Sequence, residues 1–279
     1  MTLGEVLRAA TEYLERKGVG SSRLDAELLL AYALGLTRLE LYTQHDRPLS
    51  EDERAAARTL VERRGRREPL AYVLGEWGFR QLTLRTDARA FVPRPETEVV
   101  VERSLALLDG IEAPRVLDVG TGTGAIALAI ASERPDAHVM GTDSSLDTLG
   151  LARENAERLG LAVEFVETNL LDGIAGPFQL VVSNPPYIPL AEIDGLQPEV
   201  RNWEPRAALL EEGQTDAIAH AARKVLDGWL VLEVHEQHAA EVVAALAGLG
   251  YAGATITRDL AGKDRVVEAR WPTTTSSRR

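Results

Sequence analysis

The sequence predicts an α/β fold: a Rossmann-like, mostly parallel sheet covered by helices on both faces, preceded by a small helical domain. Three observations carry that prediction. From Arg115 onward, short β-branched apolar runs alternate with helical stretches, the pattern of a parallel sheet built from strand–helix–strand units. Before Tyr72 the apolar spacing is helical. The first strand of the alternating region then runs into a turn with glycines at Gly120, Gly122 and Gly124 and opens a helix, where backbone can approach a ligand closely. In such sheets ligands bind beyond the carboxyl ends of the strands.

The expected domains are a helical domain over residues 1–73, a hairpin linker over 74–92, an α/β domain over 93–271 and a flexible tail over 272–279. In the first domain Leu3, Val6, Leu7, Ala10 and Leu14 share one helical face. Ser21-Ser22 offers an N-cap to a second helix carrying Leu24, Leu28, Leu29, Tyr32 and Leu36. Ser50-x-x-Glu53 has the capping-box pattern and starts a third helix, expected to reach Arg67. Its end, Arg63-Arg64-Gly65-Arg66-Arg67, reads either as solvent-facing cations at a helix C-terminus or as a contact for an acidic partner or RNA.

Trp77, Phe79, Leu82 and Leu84 then alternate with polar residues between glycines, as in a hairpin. Phe91 to Glu98, which includes Arg94 and Thr97, enters a helix that Glu96 or Thr97 could cap, with Arg94 on its surface. Strands are expected at 115–119, 138–143, 163–167, 179–183, 229–233, 254–258 and 266–270, and helices near 125–134, 146–159, 216–226 and 237–249. The last two strands have no helix between them and should pair antiparallel.

Composition narrows the function. At 279 residues and 45% apolar content the chain can fill one large core or two unequal ones. A net charge of -12 argues against a partner held mainly through phosphates, so no stable nucleic-acid binding is expected. With no cysteine, thiolate metal sites, disulfides and thiol nucleophiles are excluded. No metal site is expected either. The histidines of His235-Glu236-Gln237-His238 stand three apart, whereas a zinc-binding helix needs four, and they are expected to cap a helix. The first 18 residues carry charges at helical spacing and do not resemble a signal peptide, and the weakly polar run 242–256 is too short to span a bilayer. A cytoplasmic protein with no membrane contact is the expectation.

Ser183-Asn184-Pro185-Pro186-Tyr187 follows the apolar strand 179–182 and stops it abruptly. The two prolines remove backbone donors and stiffen the chain, so the loop presents acceptors. A planar NH2 group suits it, with one hydrogen to the Asn184 side-chain oxygen, the other to the Pro185 carbonyl, and a π face against Tyr187. The alternative is an ordinary strand-to-loop turn. Gly120-x-Gly122-x-x-Ala125 also satisfies the dinucleotide fingerprint, and Asp143 at the next strand end could hold an adenosine ribose in either case. The acceptor loop decides for S-adenosylmethionine, because it suits an NH2 nucleophile and a nicotinamide enzyme would need a hydride partner. Asn169, past the third strand, is placed to meet the adenine.

These residues resemble the peptide chain release factor glutamine N5-methyltransferases, the HemK/PrmC family. The likeness rests on Glu68-Pro69-Leu70-Ala71-Tyr72, Phe91 to Glu98, Leu117 to Ile130, Ala131 to Asp136, Ser183 to Tyr187 and Glu204-Pro205-Arg206-Ala207-Ala208-Leu209. It implies a class I S-adenosylmethionine-dependent methyltransferase domain and a helical domain that docks class I release factors, with the glutamine of the Gly-Gly-Gln tip as substrate. The cofactor would lie on Gly120, Thr121, Gly122, Thr123, Gly124, Asp143, Asn169, Leu170 and Asn184, with Arg94 and Thr97 in the neighbouring segment. The glutamine would lie on Asn184, Pro185, Pro186 and Tyr187, of which Asn184, Pro185 and Tyr187 are the catalytic set. Two positions depart from the family pattern: Asn169 replaces a usually acidic residue, and Ser144-Ser145 replaces Ile-Ser. A monomer meeting its release factor transiently is expected. The alternatives are a methyltransferase of adenine or cytosine amino groups, a glutamine methyltransferase of a ribosomal protein, and a cofactor-binding partner without turnover.

Overall fold

The computed structural model describes residues 1–272, so all but Pro272 of the expected flexible tail at 272–279 lies outside the described residues. The chain forms two units. One comprises Met1–Glu76 together with Leu196–Trp203, and the other Trp77–Gly195 together with the chain from Glu204 onward.

The first unit is helical: α1 (Leu3–Arg16), α2 (Ser22–Leu34), α3 (Arg38–Thr43), α4 (Glu51–Gly65) and α5 (Leu70–Leu74). Capping boxes at Thr2, Thr37 and Ser50 start α1, α3 and α4, each with a glutamate three residues on bonding back to the cap. Leu3, Leu7, Leu14, Leu29, Leu30, Leu41 and Val61 form its core. Three expectations are corrected here. On α2 the buried stripe is Ala26, Leu29 and Leu30, while Leu24 and Tyr32 are exposed. Ser21 precedes α2 but makes no capping bond, because its hydroxyl donates to Asp25 at 2.7 Å. Of the arginines that end α4, Arg66 is exposed, but the others are paired: Arg64 bonds Asp25 and Glu199 at 2.6 and 2.8 Å, Arg67 bonds Glu199 at 2.6 Å, and Arg63 pairs with Glu68. Burial pushes the Glu199 carboxyl up, but the Arg67 and Arg64 guanidiniums outweigh it and hold it below its ordinary range.

In the second unit β1 (Glu76–Phe79) and β2 (Leu82–Arg85) form the expected hairpin, and α6 (Thr97–Leu107) leads to the main sheet. Its strands and helices follow as β3 (Arg115–Val119), α7 (Ala125–Glu133), β4 (His138–Asp143), α8 (Leu146–Leu159), β5 (Glu164–Glu167) and β6 (Phe178–Ser183). After α9 (Pro198–Trp203), which counts with the helical unit, come α10 (Gln214–Ala222), β7 (Leu226–Glu233), α11 (Ala239–Gly248), β8 (Ala252–Arg258) and β9 (Asp264–Arg270).

The sheet order is β5-β4-β3-β6-β7-β9-β8. The first five strands in that order are parallel, and β9 pairs antiparallel with both β7 and β8, as expected for strands without a crossover helix. Side chains alternate between two buried faces: Val116, Leu180, Val182 and Val231 on one, Leu117, Val181, Leu230 and Leu232 on the other. Because β4 and β6 flank β3 on opposite sides, their carboxyl ends enclose a topological switch point, which positions the site.

Candidate active site

A cavity of about 840 Å³ opens beyond β3, β4 and β6. Its wall includes Gly120, Thr121, Gly122, Thr123, Asp143, Asn169, Leu170, Thr97, Asn184, Pro185, Pro186 and Tyr187. The structure thus brings together most of the residues singled out from the sequence. Gly124 and Arg94 are not part of that wall. Gly124 sits at φ 84° where α7 begins, and a Cβ there would lie 2.9 Å from the Leu128 side chain. Arg94 pairs with buried Glu204 and stacks 4.6 Å over the Phe91 ring, so it braces the segment before α6.

Strand β3 positions the glycine turn through Asp118. This carboxylate is fully buried and accepts from the Thr121 hydroxyl at 2.7 Å and the Ala127 N–H at 3.2 Å. Burial pushes its carboxyl up to about 7. Gly122 has φ 58° and open space where a Cβ would stand, so its backbone faces the cavity unobstructed. Asp143 closes the turn from β4, its carboxylate accepting from the Gly122 N–H at 3.2 Å and the Ser145 N–H at 3.1 Å. Burial raises the Asp143 carboxyl above its ordinary range, against those backbone bonds. Asn169 is exposed at the rim after β5, and Leu170 adopts φ 55° with its carbonyl accepting from the Thr142 hydroxyl at 3.1 Å.

At the end of β6, buried Ser183 donates to the Val119 carbonyl at 2.6 Å and fixes where the strand stops. The Asn184 side-chain NH2 donates to the Thr97 hydroxyl oxygen at 3.1 Å. Thr97 opens α6 and is buried, and neither it nor Glu96 makes a side-chain capping bond. The Tyr187 hydroxyl donates to Glu233 at 3.1 Å, which locks the ring of a half-buried residue. Desolvation, with Glu233 beside it, raises the Tyr187 phenol, so it stays protonated.

Three residues behind this site were given no role in the sequence, although Glu204 stands among those that carry the likeness. Glu233 and Glu204 are buried carboxylates whose partners lie far away in the chain. Asn155 is fully buried on the apolar stripe of α8, and its amide spans the Arg85 backbone and the Thr123 carbonyl at 3.0 Å. A polar residue at a core position of a helical pattern is the signal that could have found it. The histidines also differ from expectation: His238 precedes α11 without a side-chain capping bond, and His235 Nδ1 accepts from the Gln237 N–H at 3.3 Å. Among the described residues no group of three or more His, Cys, Asp or Glu is arranged to hold a metal ion, and no helix is long and apolar enough to cross a membrane.

This switch-point cavity, with its glycine turn and acceptor loop, defines the class as a Rossmann-like methyltransferase. The hMettl16 catalytic domain, solved with a MAT2A 3'UTR hairpin, is similar in fold, with a TM-score of 0.56 at 16% identity over 80% of this chain and 82% of that one. A model of the PrmC N-terminal domain matches residues 5–75, and one of the methyltransferase small domain matches 100–195. The release factor glutamine methyltransferase of Deinococcus radiodurans is 45% identical over 97% of this chain and 99% of its own. That of Geobacter sulfurreducens is 42% identical over 96% of each chain. The chain belongs to the release factor glutamine methyltransferase family.

Proposed function

We propose that this protein methylates the side-chain amide nitrogen of the glutamine in the Gly-Gly-Gln motif of class I peptide chain release factors, with S-adenosylmethionine as methyl donor. The observation that carries the reading is the Asn184–Thr97 bond. With its NH2 donating to Thr97, Asn184 keeps its side-chain oxygen available to accept in the cavity, beside Pro185. An amide with two hydrogens to donate is the complement of that edge.

The cavity fits the cofactor in size, at about 840 Å³ within the range of ligand sites. The open space at Gly122 lets a ligand approach the backbone, and the Asp143 carboxylate offers acceptors of the kind an adenosine ribose needs. Gly120, Thr121, Gly122, Asp143, Asn169 and Leu170 would hold it. Bound there, it supplies an electrophilic methyl on a sulfonium centre.

An amide nitrogen is a weak nucleophile because its lone pair is delocalised into the carbonyl. Asn184 and Pro185 would take one amide hydrogen each and fix the nitrogen in plane, with the Tyr187 ring supporting it. Such orientation supplies at most roughly 7 to 11 kcal/mol. The two acceptors bind more strongly as positive charge grows on the nitrogen, so they favour the transition state over the bound substrate, and after transfer they or water relay the released proton to solvent.

The test is mass spectrometry of a purified class I release factor after incubation with the protein and S-adenosylmethionine, beside a duplex DNA control. One methyl on the Gly-Gly-Gln glutamine is expected. An unmodified release factor with methylated DNA would overturn the reading.

A further inference from the structure

Glu233 ends β7, beside the strand whose end carries the acceptor loop, with Leu232 paired to Ser183. It falls on the same sheet face as Val231, which shares a core with Val100 and Val101 of α6, and it is 1% exposed. No ion pair joins it among the described residues, since the guanidinium of Arg265 bonds Asp259 at 3.2 Å and the Val234 carbonyl at 3.3 Å. One carboxylate oxygen accepts from the Tyr187 hydroxyl at 3.1 Å, and the other is buried without a partner. A carboxylate buried without a cation is costly, and the side-chain bond this one makes runs to the cavity wall.

We propose that Glu233 is a positioning residue for methyl transfer: it holds the Tyr187 hydroxyl and so sets where the ring stands against the substrate amide. The inference rests on the function proposed above. Pro185 and Pro186 have no N–H to bond to a neighbouring strand. Beyond them the Ile188 N–H donates to the Leu209 carbonyl at 3.0 Å, which fixes the chain but not the Tyr187 side chain. The hydroxyl bond orients the ring, and the His235 ring flanks it, 6.2 Å away between centroids and tilted by 56°. A carboxylate only accepts, so the phenol must donate, and such a bond is directional. The oxygen that receives it belongs to a strand paired on both sides, to β6 and to β9. A side chain of the loop is thereby placed from a rigid element of the sheet.

Tyr187→Phe, Glu233→Leu, their pair and Glu233→Gln would be compared in release-factor methylation, with kcat and KM separated and the urea midpoint recorded for each. Tyr187→Phe keeps the ring and loses the tie, so kcat should fall about 10- to 100-fold with KM held, as for a small misplacement of a reacting group. Glu233→Leu should lose as much, and the double variant no more than either single. Glu233→Gln keeps an oxygen that accepts from Tyr187 and should retain activity. Stability should part from turnover. Tyr187→Phe leaves a buried carboxylate without its donor and should lower the urea midpoint, whereas the double variant, with neither polar group left, should recover most of that loss while kcat stays low. Wild-type kcat in Tyr187→Phe, losses that multiply in the double variant, kcat that recovers there with the urea midpoint, or a Glu233→Gln as slow as Glu233→Leu would overturn the inference alone. A wild-type protein that leaves the release factor unmodified would overturn the proposed function and this inference with it.

Discussion

Asp118 shows how a single residue holds the glycine turn in place. Its carboxylate gathers the Thr121 hydroxyl and the Ala127 N–H, while its second oxygen is buried without a partner. Burial lifts its carboxyl from an ordinary 3.8 to about 7, so the native state holds that proton more tightly than the unfolded chain. Its contribution to stability is therefore full below the ordinary value and is lost as pH rises through about 7. Asp118→Asn, neutral and of the same shape, should remove this loss. Its urea midpoint should fall less than that of the wild type between about pH 5 and about pH 8. A residual fall remains from Glu233, which shifts in the same direction. Equal falls in the two proteins would contradict the assignment.

At the scale of elements, what could be read from the sequence divides by range. The strands from β3 to β9 are short β-branched apolar runs bounded by turn residues, so their positions and the antiparallel end were legible. The place of the Asn184–Tyr187 loop at the end of β6 was legible because two prolines stop the strand locally. Helix α3 was missed although Thr37-x-x-Glu40 carries a capping box, because only six residues follow it. Arg64 and Arg67 were misread because charge at a helix end is normally solvated, and nothing local reveals that Asp25 and Glu199 meet them. That cluster makes its own prediction. Arg64→Ala would leave Asp25, 4% exposed, without its cation while Glu199 keeps Arg67, and should destabilise the helical unit by about 3 to 5 kcal/mol in denaturant unfolding of the full chain. A loss within the range of a surface ion pair, below about 1 kcal/mol, would contradict the buried geometry.

Over the whole molecule, the methyltransferase unit joins a generic framework to one specific edge of polar groups. The sheet order creates the switch point, and many proteins of unrelated activity share that framework. What stands beside that framework here is the orientation of one amide, held by its bond to Thr97 at the start of α6. Such long-range orientation could not be read from residues 183–187 alone. The most direct test is single-turnover transfer to a release factor by the wild type and Asn184→Ala, at saturating S-adenosylmethionine and with thermal unfolding recorded for both. The account predicts a variant that unfolds like the wild type and transfers methyl on the order of 100- to 1000-fold more slowly, the loss expected for one preorganised hydrogen-bonding group at a reacting centre. Transfer at the wild-type rate would contradict it.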